Sequence, residues 1–119
     1  MNKIVIGWEE FGEMADKLAE QIKGDFDGIY AMPRGGLPLA VTLSHRLKLP
    51  LLMEPTKETL IVDDISDTGE SLKNISGEKI ACLHSTPWTI TKPDWFVKMK
   101  ENKEDWIVYP WEKESDRKD

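Results

Sequence analysis

Apolar residues in this chain follow two different periods, and segments of the two kinds alternate along most of the sequence. The segment "WEEFGEMADKLAEQIK" has apolar residues at the three- and four-residue spacing of one helical face, namely Phe11, Met14, Ala15, Leu18 and Ile22. Gly24 follows as a stop signal, so an amphipathic helix with one buried face is predicted here. A second helix is predicted over "LPLAVTLSHRL", where Pro38 is tolerated because it lies in the first turn.

Short apolar runs bounded by turn-forming residues predict strands. The runs are "KIVIGW", "DGIYAM", "LPLLM", "TLIVDD" and "KIACLH", and "GESLKNI" before the last of them predicts a short third helix. The pattern weakens over residues 85–112, which contain three prolines and four of the five tryptophans. Strands that alternate with helices indicate an α/β fold with an open, mostly parallel sheet flanked by helices. We predict a single domain over residues 1–119.

Composition and charge narrow the possible partners. The formal net charge of −6 disfavours nucleic acid, because the protein would repel a phosphodiester backbone. No apolar run approaches the ~20 residues of a membrane-spanning helix. A single cysteine, Cys82, cannot form a disulfide within the chain. We therefore expect a soluble, cytoplasmic protein that binds neither membranes nor nucleic acids.

Adjacent carboxylates at the end of a predicted buried strand are the first candidate chemistry. In "TLIVDDISDTGESL", Asp63 and Asp64 come directly after the apolar run. Ligands of open parallel sheets bind beyond the carboxyl ends of the strands, where this pair is expected to lie. Two neighbouring carboxylates repel one another unless a cation or hydroxyl donors face them. Sugar hydroxyls together with a magnesium ion would satisfy both acids.

Two glycine-containing turns predict anion sites on either side of these acids. The turn "DTGES" runs into the predicted third helix, so its free backbone N–H groups and the hydroxyls of Thr68 and Ser71 would form an anion cradle, and Gly69 would let the backbone approach a ligand closely. In "AMPRGGLPLA", Arg34 offers paired donors next to two glycines. Acids between two such sites suit a sugar that carries a 5-phosphate and a 1-pyrophosphate.

These stretches together resemble the type I phosphoribosyltransferase family. "LIVDDISDTGESL" is similar to the family's phosphoribosyl pyrophosphate motif, and "PRGG" to its pyrophosphate loop. "WIVYPWE" resembles the base-binding end of the xanthine-guanine and related 6-oxopurine enzymes. The resemblance implies the fold of that family with a small C-terminal hood-like segment. It also implies transfer of the 5-phosphoribosyl group from phosphoribosyl pyrophosphate to a purine base, with release of pyrophosphate and formation of a purine nucleotide.

The resemblance also implies roles for residues of the two loops. Asp63 and Asp64 would hold the ribose hydroxyls and Mg²⁺, and Asp67 would lie near the purine N7 as the candidate general base. Arg34 and Gly35 would contact pyrophosphate, and the peptide bond before Arg34 would be cis. The residues that wrap the 5-phosphate would be Asp67, Thr68, Gly69, Glu70 and Ser71.

The implied base site involves three further residues. Trp106 would stack on the purine, and main-chain groups near Ile107 would read its edge. After "KIACLH", where purine-specific relatives carry a lysine that reads the 6-oxo group, this chain has Thr86. The hydroxyl of Thr86 can still donate a hydrogen bond to the base.

A second departure from the family leaves an alternative function open. Relatives carry a long mobile loop before the phosphoribosyl motif, whereas only "EPTKE" joins the two predicted strands here. Without a lid that excludes water, the chain could be a catalytically weak or inactive protein that binds nucleotide or phosphoribosyl pyrophosphate for regulation. Five tryptophans exceed what one small core easily encloses, so we also expect a homo-oligomer, most simply a homodimer.

Overall fold

A computed structural model describes residues 2–113 as an α/β fold. Along the chain the elements are β1 (Lys3–Val5), α1 (Trp8–Gln21), β2 (Ile29–Ala31), α2 (Leu37–Leu47), β3 (Leu60–Ser66), β4 (Lys79–Ser85), β5 (Trp95–Met99) and β6 (Trp106–Val108). Strands β2, β3, β4 and β5 form one sheet in that order, and β1 pairs with β6 in a second, two-stranded sheet. Every strand pair in both sheets is parallel, which confirms the predicted fold class.

The two helices pack on the larger sheet and form one apolar core with it. Helix α1 contacts β4, β5 and α2, and helix α2 contacts β2 and β3. The helical face predicted for α1 is the buried one, since Phe11, Met14, Ala15, Leu18 and Ile22 all belong to the core. A second, smaller cluster joins Ile61, Leu72 and Cys82. No helix within residues 2–113 is long and apolar enough to cross a membrane.

The predicted strand over "LPLLM", residues 49–53, is wrong. Only Leu51 forms a bridge, to Ile29. Its neighbours make two hydrogen bonds to Ile29, from the Ile29 N–H to the Pro50 carbonyl and from the Leu52 N–H to the Ile29 carbonyl, each 2.8 Å long. A proline within such a run removes one ladder donor, and the ladder does not continue.

The predicted helix over "GESLKNI", residues 69–75, is also wrong, because residues 70–74 form turns. Gly69 has a φ of +84°, outside the helical region. The carbonyls of Thr68 and Gly69, which a helix would pair four residues ahead, accept hydrogen bonds from residues 90 and 91 instead. A seven-residue stretch gains too little from helical hydrogen bonds to compete with these tertiary bonds.

Two strands lie in the region where the sequence pattern weakens. Strand β5 completes the larger sheet beside β4, and β6 pairs with β1 through Lys3 opposite Trp106, Ile4 opposite Ile107 and Val5 opposite Val108. The N-terminal strand thus holds the C-terminal segment that was predicted to carry base-binding residues.

Candidate functional site

The carboxyl ends of the strands gather the candidate site residues at one edge of the larger sheet. The loop with Arg34 follows β2, Asp67 follows β3, and Thr86 follows β4. Lys100 follows β5 and is brought to the same edge by a 2.8 Å hydrogen bond from its N–H to the Ser85 carbonyl. The expectation that chemistry collects at this edge of a parallel sheet is met.

Asp63 and Asp64 are held by the backbone that follows them. The Asp63 Oδ1 accepts the Asp64 N–H at 2.8 Å, and the Asp64 Oδ1 accepts the Ile65 N–H at 2.7 Å. Burial, together with repulsion from the neighbouring carboxylate, raises the pKa of Asp63 above its usual range. Burial also raises the pKa of Asp64. The raised pKa values mean that the two acids resist ionisation, and a cation bound beside them would favour it.

The acid pair suits a magnesium ion whose remaining ligands come from water and substrate. Carboxylate oxygens are hard ligands, and Mg²⁺ is commonly bound by one or two of them together with water and substrate phosphates. Within residues 2–113 no group of three histidine, cysteine or acidic side chains could hold a metal by itself. Asp63 and Asp64 can therefore supply part of a Mg²⁺ coordination shell but not a complete one.

The Arg34 loop is packed directly against the acids. The peptide bond between Pro33 and Arg34 is cis, as the family resemblance implies. A methyl group on Gly35 would collide with the Asp64 carboxylate, so this loop and the acid pair are in direct contact. A methyl group on Gly36 would lie 2.6 Å from the Val62 carbonyl oxygen, which explains the need for a second glycine.

These groups surround two cavities that adjoin at Asp64. The larger, of about 740 Å³, is lined by Pro33, Arg34, Gly35, Leu37, Pro38, Asp63, Asp64, Trp111 and Glu112. The smaller, of about 130 Å³, is lined by Asp64, Ile65, Asp67, Lys100, Ile107, Tyr109 and Glu112. The two cavities share Asp64 and Glu112 and together form a depression that the predicted sugar and pyrophosphate residues line. Of the predicted base residues, Ile107 lines this depression, whereas Thr86 lines a different cavity. Trp106 lines neither cavity and lies half-buried at the start of β6.

Asp67 is engaged by two donors that were not predicted to contact it. Lys100 Nζ lies 2.9 Å from the Asp67 Oδ2, and Trp88 Nε1 donates to the Asp67 Oδ1 at 2.8 Å. The Lys100 side chain is only 7% exposed, whereas the Asp67 side chain is 38% exposed, so the ion pair is shielded from water on the lysine side only. The Thr86 hydroxyl donates to the Asp67 main-chain carbonyl at 2.6 Å. The only proton of that hydroxyl is therefore used within the protein rather than offered to a base.

A hydrogen-bond chain ties the C-terminal segment to the acids. The Tyr109 hydroxyl donates to the Asp64 carbonyl at 3.2 Å and lies 2.8 Å from the His84 Nδ1. Burial lowers the pKa of His84 to about 4. A neutral His84 with its proton on Nδ1 satisfies both bonds. Tyr109 also stacks on Trp111, with 5.0 Å between ring centroids and an interplanar angle of 1°.

The turn over residues 67–71 is present, although no helix follows it. Thr68, Glu70 and Ser71 are exposed, and Gly69 is buried. A methyl group on Gly69 would lie 2.5 Å from both the Thr89 Oγ1 and the Thr91 N. The close approach that requires a glycine here is therefore to residues 89–91 of the protein itself.

Sequence reasoning missed Lys100, Trp88, Tyr109 and Glu112, which reach the site from separate segments. No spacing around Lys100 or Trp88 indicates a site, and Tyr109 and Glu112 lie in "WIVYPWE", where the resemblance assigned roles only to Trp106 and Ile107. Only the termination of an apolar strand by a lysine at Lys100 resembles the strand-end pattern that identified Asp63 and Asp64.

Comparisons with known proteins agree with this architecture. No protein-family model matches the chain. The structure of a purine phosphoribosyltransferase from Pyrococcus horikoshii is similar over 95% of both chains, with 34% identity and a TM-score of 0.79. A xanthine-guanine-hypoxanthine phosphoribosyltransferase from Helicobacter pylori aligns over 92% of this chain and 94% of its own, with 24% identity and a TM-score of 0.77. A xanthine-guanine phosphoribosyltransferase from Nitratidesulfovibrio vulgaris is 25% identical over 92% of this chain and 84% of its own length.

A parallel sheet with adjacent acids and a glycine-containing loop at its carboxyl edge is the arrangement expected of a type I phosphoribosyltransferase. The chain belongs to that family. Within the family, the relatives found are purine and xanthine-guanine phosphoribosyltransferases.

Proposed function

We propose that the protein is a cytoplasmic purine phosphoribosyltransferase that joins a purine base to the phosphoribosyl group of phosphoribosyl pyrophosphate, as in purine salvage. The contact between Gly35 and the Asp64 carboxylate is the observation that best supports this proposal. The Arg34 loop lies directly beside the two acids, and this arrangement suits a sugar with a pyrophosphate on C1. The Pyrococcus horikoshii relative supports the same class of reaction.

Each part of the depression has a role in the proposed reaction. Asp63 and Asp64 would bind the ribose hydroxyls and Mg²⁺, and Arg34 with the Gly35 amide would bind pyrophosphate. When bound, the ion would supply positive charge that stabilises the departing pyrophosphate. The bond between C1 of the ribose and pyrophosphate breaks as a base nitrogen forms a bond to C1. Arg34 and the loop amides would stabilise the negative charge that develops on the leaving group.

The smaller cavity would receive the base. Ile107 would read the base edge through its main chain, and Trp106 would stack on the ring from the edge of the site. Asp67 would accept the proton that the base loses, because each carboxylate oxygen keeps a second lone pair beside the donors from Lys100 and Trp88. Thr86 would act through Asp67 rather than by touching the base.

One observation favours the alternative of a regulatory protein with weak or no turnover. The connection over residues 54–58 is attached to Asp27, which precedes β2 and so lies at the amino edge of the sheet, opposite the site. Thr59 Oγ1 donates to the Asp27 Oδ1 at 2.8 Å, and the Asp27 N–H donates to the Glu58 carbonyl at 3.2 Å. This connection cannot serve as a lid over the carboxyl edge.

Incubation with phosphoribosyl pyrophosphate, Mg²⁺ and a panel of guanine, xanthine, hypoxanthine and adenine tests both functions. Release of pyrophosphate with formation of a nucleotide is expected for the enzyme. Tight binding of phosphoribosyl pyrophosphate without release would favour the regulatory alternative. Binding of neither phosphoribosyl pyrophosphate nor a purine nucleotide would contradict both.

A variant of Trp106 tests the choice of purines. Base stacking on an aromatic side chain is worth about 1–3 kcal/mol, so Trp106→Ala should weaken GMP binding by about tenfold or more. Binding of pyrophosphate should hardly change. A folded variant that binds GMP as tightly as the parent would contradict the stacking role, and loss of both ligands together with stability would indicate that Trp106 only packs the fold.

A further inference from the structure

The first three main-chain carbonyls of the 67–71 turn are directed toward one neighbouring segment, residues 86–91, which we call the template segment. The Thr86 hydroxyl donates to the Asp67 carbonyl at 2.6 Å. The Ile90 N–H donates to the Thr68 carbonyl at 2.9 Å, and the Thr91 hydroxyl donates to the Gly69 carbonyl at 2.7 Å. Three consecutive carbonyls of the turn are thus anchored on one side.

This anchoring determines where the N–H groups of the turn point. In a planar trans peptide, the N–H of one residue is directed opposite to the carbonyl of the residue before it. The N–H groups of Thr68, Gly69 and Glu70 are therefore directed away from the template segment. Within residues 2–113, no group accepts a hydrogen bond from the N–H of Thr68 or Gly69, and the Glu70 N–H makes only a 3.3 Å bond to the Thr68 hydroxyl. Such adjacent free amides form an anion-binding concavity.

The template segment is itself held in place by hydrogen bonds with Ser66. The Ser66 hydroxyl lies 2.8 Å from the Thr89 Oγ1 and donates to the Thr91 carbonyl at 2.6 Å. Ser66 is 1% exposed and Thr89 is 7% exposed. Since Gly69 fits against Thr89 and Thr91 without room for a methyl group, the turn and the segment are complementary in shape as well as in hydrogen bonding.

We propose that the template segment holds the 67–71 turn in its phosphate-binding shape, and that Thr91 is a positioning residue for the sugar 5-phosphate. The sequence predicted that a helix would fix a set of parallel amide donors in this turn. In the structure the template segment does so instead. This inference rests on the proposed function, because it takes the turn as the site of the 5-phosphate.

Replacement of Thr91 tests the proposal, with ribose 5-phosphate as the probe of the turn and magnesium pyrophosphate as the probe of the Arg34 loop. Thr91→Val keeps the side-chain shape but removes the donor to the Gly69 carbonyl. We expect calorimetry to show about tenfold weaker binding of ribose 5-phosphate, the loss of roughly one hydrogen bond to a site group. Binding of pyrophosphate should change by less than about twofold. With substrate, KM for phosphoribosyl pyrophosphate should rise more than kcat falls.

Two matched variants separate positioning from general loss of stability. Thr91→Ser restores the hydroxyl and should recover most of the affinity for ribose 5-phosphate. Thr42 is also half-buried and donates to a backbone carbonyl, that of Pro38 at 2.9 Å, so Thr42→Val should leave binding of ribose 5-phosphate unchanged. Equal affinity of the parent and Thr91→Val for ribose 5-phosphate would overturn the inference while leaving the proposed function intact. No binding of ribose 5-phosphate by the parent would instead overturn the phosphate site itself.

Amide exchange in the parent protein gives a second test that needs no variant. Ribose 5-phosphate should slow hydrogen exchange at Thr68 and Gly69, whose N–H groups face outward. It should leave exchange at Ile90, whose N–H is already bonded to Thr68, unchanged. Protection at Ile90 without protection at Thr68 and Gly69 would contradict the proposed orientation of the turn.

Discussion

Ionisation of Asp64 disfavours the unliganded fold but favours the proposed ligands. Burial raises its pKa, so its ionised form destabilises the unliganded protein. Its hydrogen bond with Ile65 uses only the Oδ1, and an asparagine can accept that same bond.

We therefore expect Asp64→Asn to separate stability from binding. Its free energy of unfolding at pH 8 should equal or exceed that of the parent, because a neutral side chain replaces a buried charge. Its affinity for phosphoribosyl pyrophosphate with Mg²⁺ should fall about tenfold or more, since a bond to a charged group is worth about 1.5–3 kcal/mol. Asp27→Asn, at the opposite edge of the sheet, is the control and should leave the affinity unchanged. Equal ligand affinity in Asp64→Asn would exclude Asp64 from the sugar site.

His84 makes the stability of the protein depend on pH. Its pKa is lowered to about 4 from the ordinary value of 6.5, mainly by burial, with Lys98 and Lys100 acting in the same direction and Glu10 against it. A lowered histidine pKa means that the unfolded chain binds a proton more readily than the folded one. Stability from this group is therefore complete above pH 6.5 and is lost as pH falls toward 4.

The expected loss from His84 is up to about 3 kcal/mol between pH 7 and pH 4. His84→Gln keeps an N–H donor for Tyr109 but does not titrate, so its free energy of unfolding should fall less over the same range. Denaturant unfolding of both proteins at several pH values measures the difference. Parallel pH profiles for the two proteins would show that His84 does not carry this dependence.

At the scale of elements, replacing two glycines by alanine should change the free energy of unfolding in opposite directions, because their surroundings differ. Gly12 lies inside α1 with nothing within 4 Å of an added methyl group, so Gly12→Ala should stabilise the protein by roughly 0.5–1 kcal/mol. Gly36 precedes α2, where an added methyl group would meet the Val62 and Met32 carbonyls. Gly36→Ala should destabilise the protein by about 1–3 kcal/mol and weaken pyrophosphate binding, because the Arg34 loop must shift. Thermal unfolding checks both signs, and destabilisation by both substitutions would contradict the packing described for α1.

The elements that the sequence predicted correctly are those whose pattern is local. Helices α1 and α2 have clear helical spacing, and β3 and β4 each contain a short apolar run, so neighbouring residues suffice to identify them. Strands β5 and β6 were not predicted because β6 has only three residues and Lys98 interrupts the short apolar run of β5, so it is pairing within the sheets that makes them strands. The helix predicted over residues 69–75 is absent for the reverse reason. Local propensity favours a helix there, but the carbonyls of Thr68 and Gly69 accept hydrogen bonds from the template segment instead.

The candidate site divides in the same way. Arg34, Asp63, Asp64 and the 67–71 turn are contiguous in short motifs, so the sequence could place them together. Lys100 and Tyr109 come from segments more than thirty residues away from Asp67, and no local spacing connects them to it. The binding of ligands by any of these residues stays a prediction.

At the scale of the whole molecule, exposed apolar side chains suggest where a second copy would bind. Val41 on α2 is 43% exposed, and Leu51 and Met53 in the connection that follows are 46% and 93% exposed. Of the tryptophans, which first suggested an oligomer, Trp8 is 61% exposed. Exposed apolar side chains, where they lie close together, commonly mark subunit contacts.

We expect the protein to be a homodimer through the surface of Val41, Leu51 and Met53. Sedimentation at high micromolar concentration should give the mass of a dimer. The double variant Val41→Lys with Met53→Lys should be monomeric and folded, whereas Val5→Lys, at an exposed residue of β1, should not change the mass. A monomeric parent protein would contradict the prediction, and a dimeric double variant would place the contact elsewhere.

The pairing of β1 with β6 has a consequence for the order in which the site is assembled. Lys3 and Trp106 are about one hundred residues apart, and their strands share only three residue pairs. Closing so long a loop is slow, and a short ladder returns little free energy until the core already exists. Strand β2, which leads into the Arg34 loop, and strand β3, which carries Asp63, are much closer in sequence and are neighbours in the larger sheet. We therefore expect a folding chain to bring the Arg34 loop and the acid pair together first, and to add the segment of residues 106–112 in the last step.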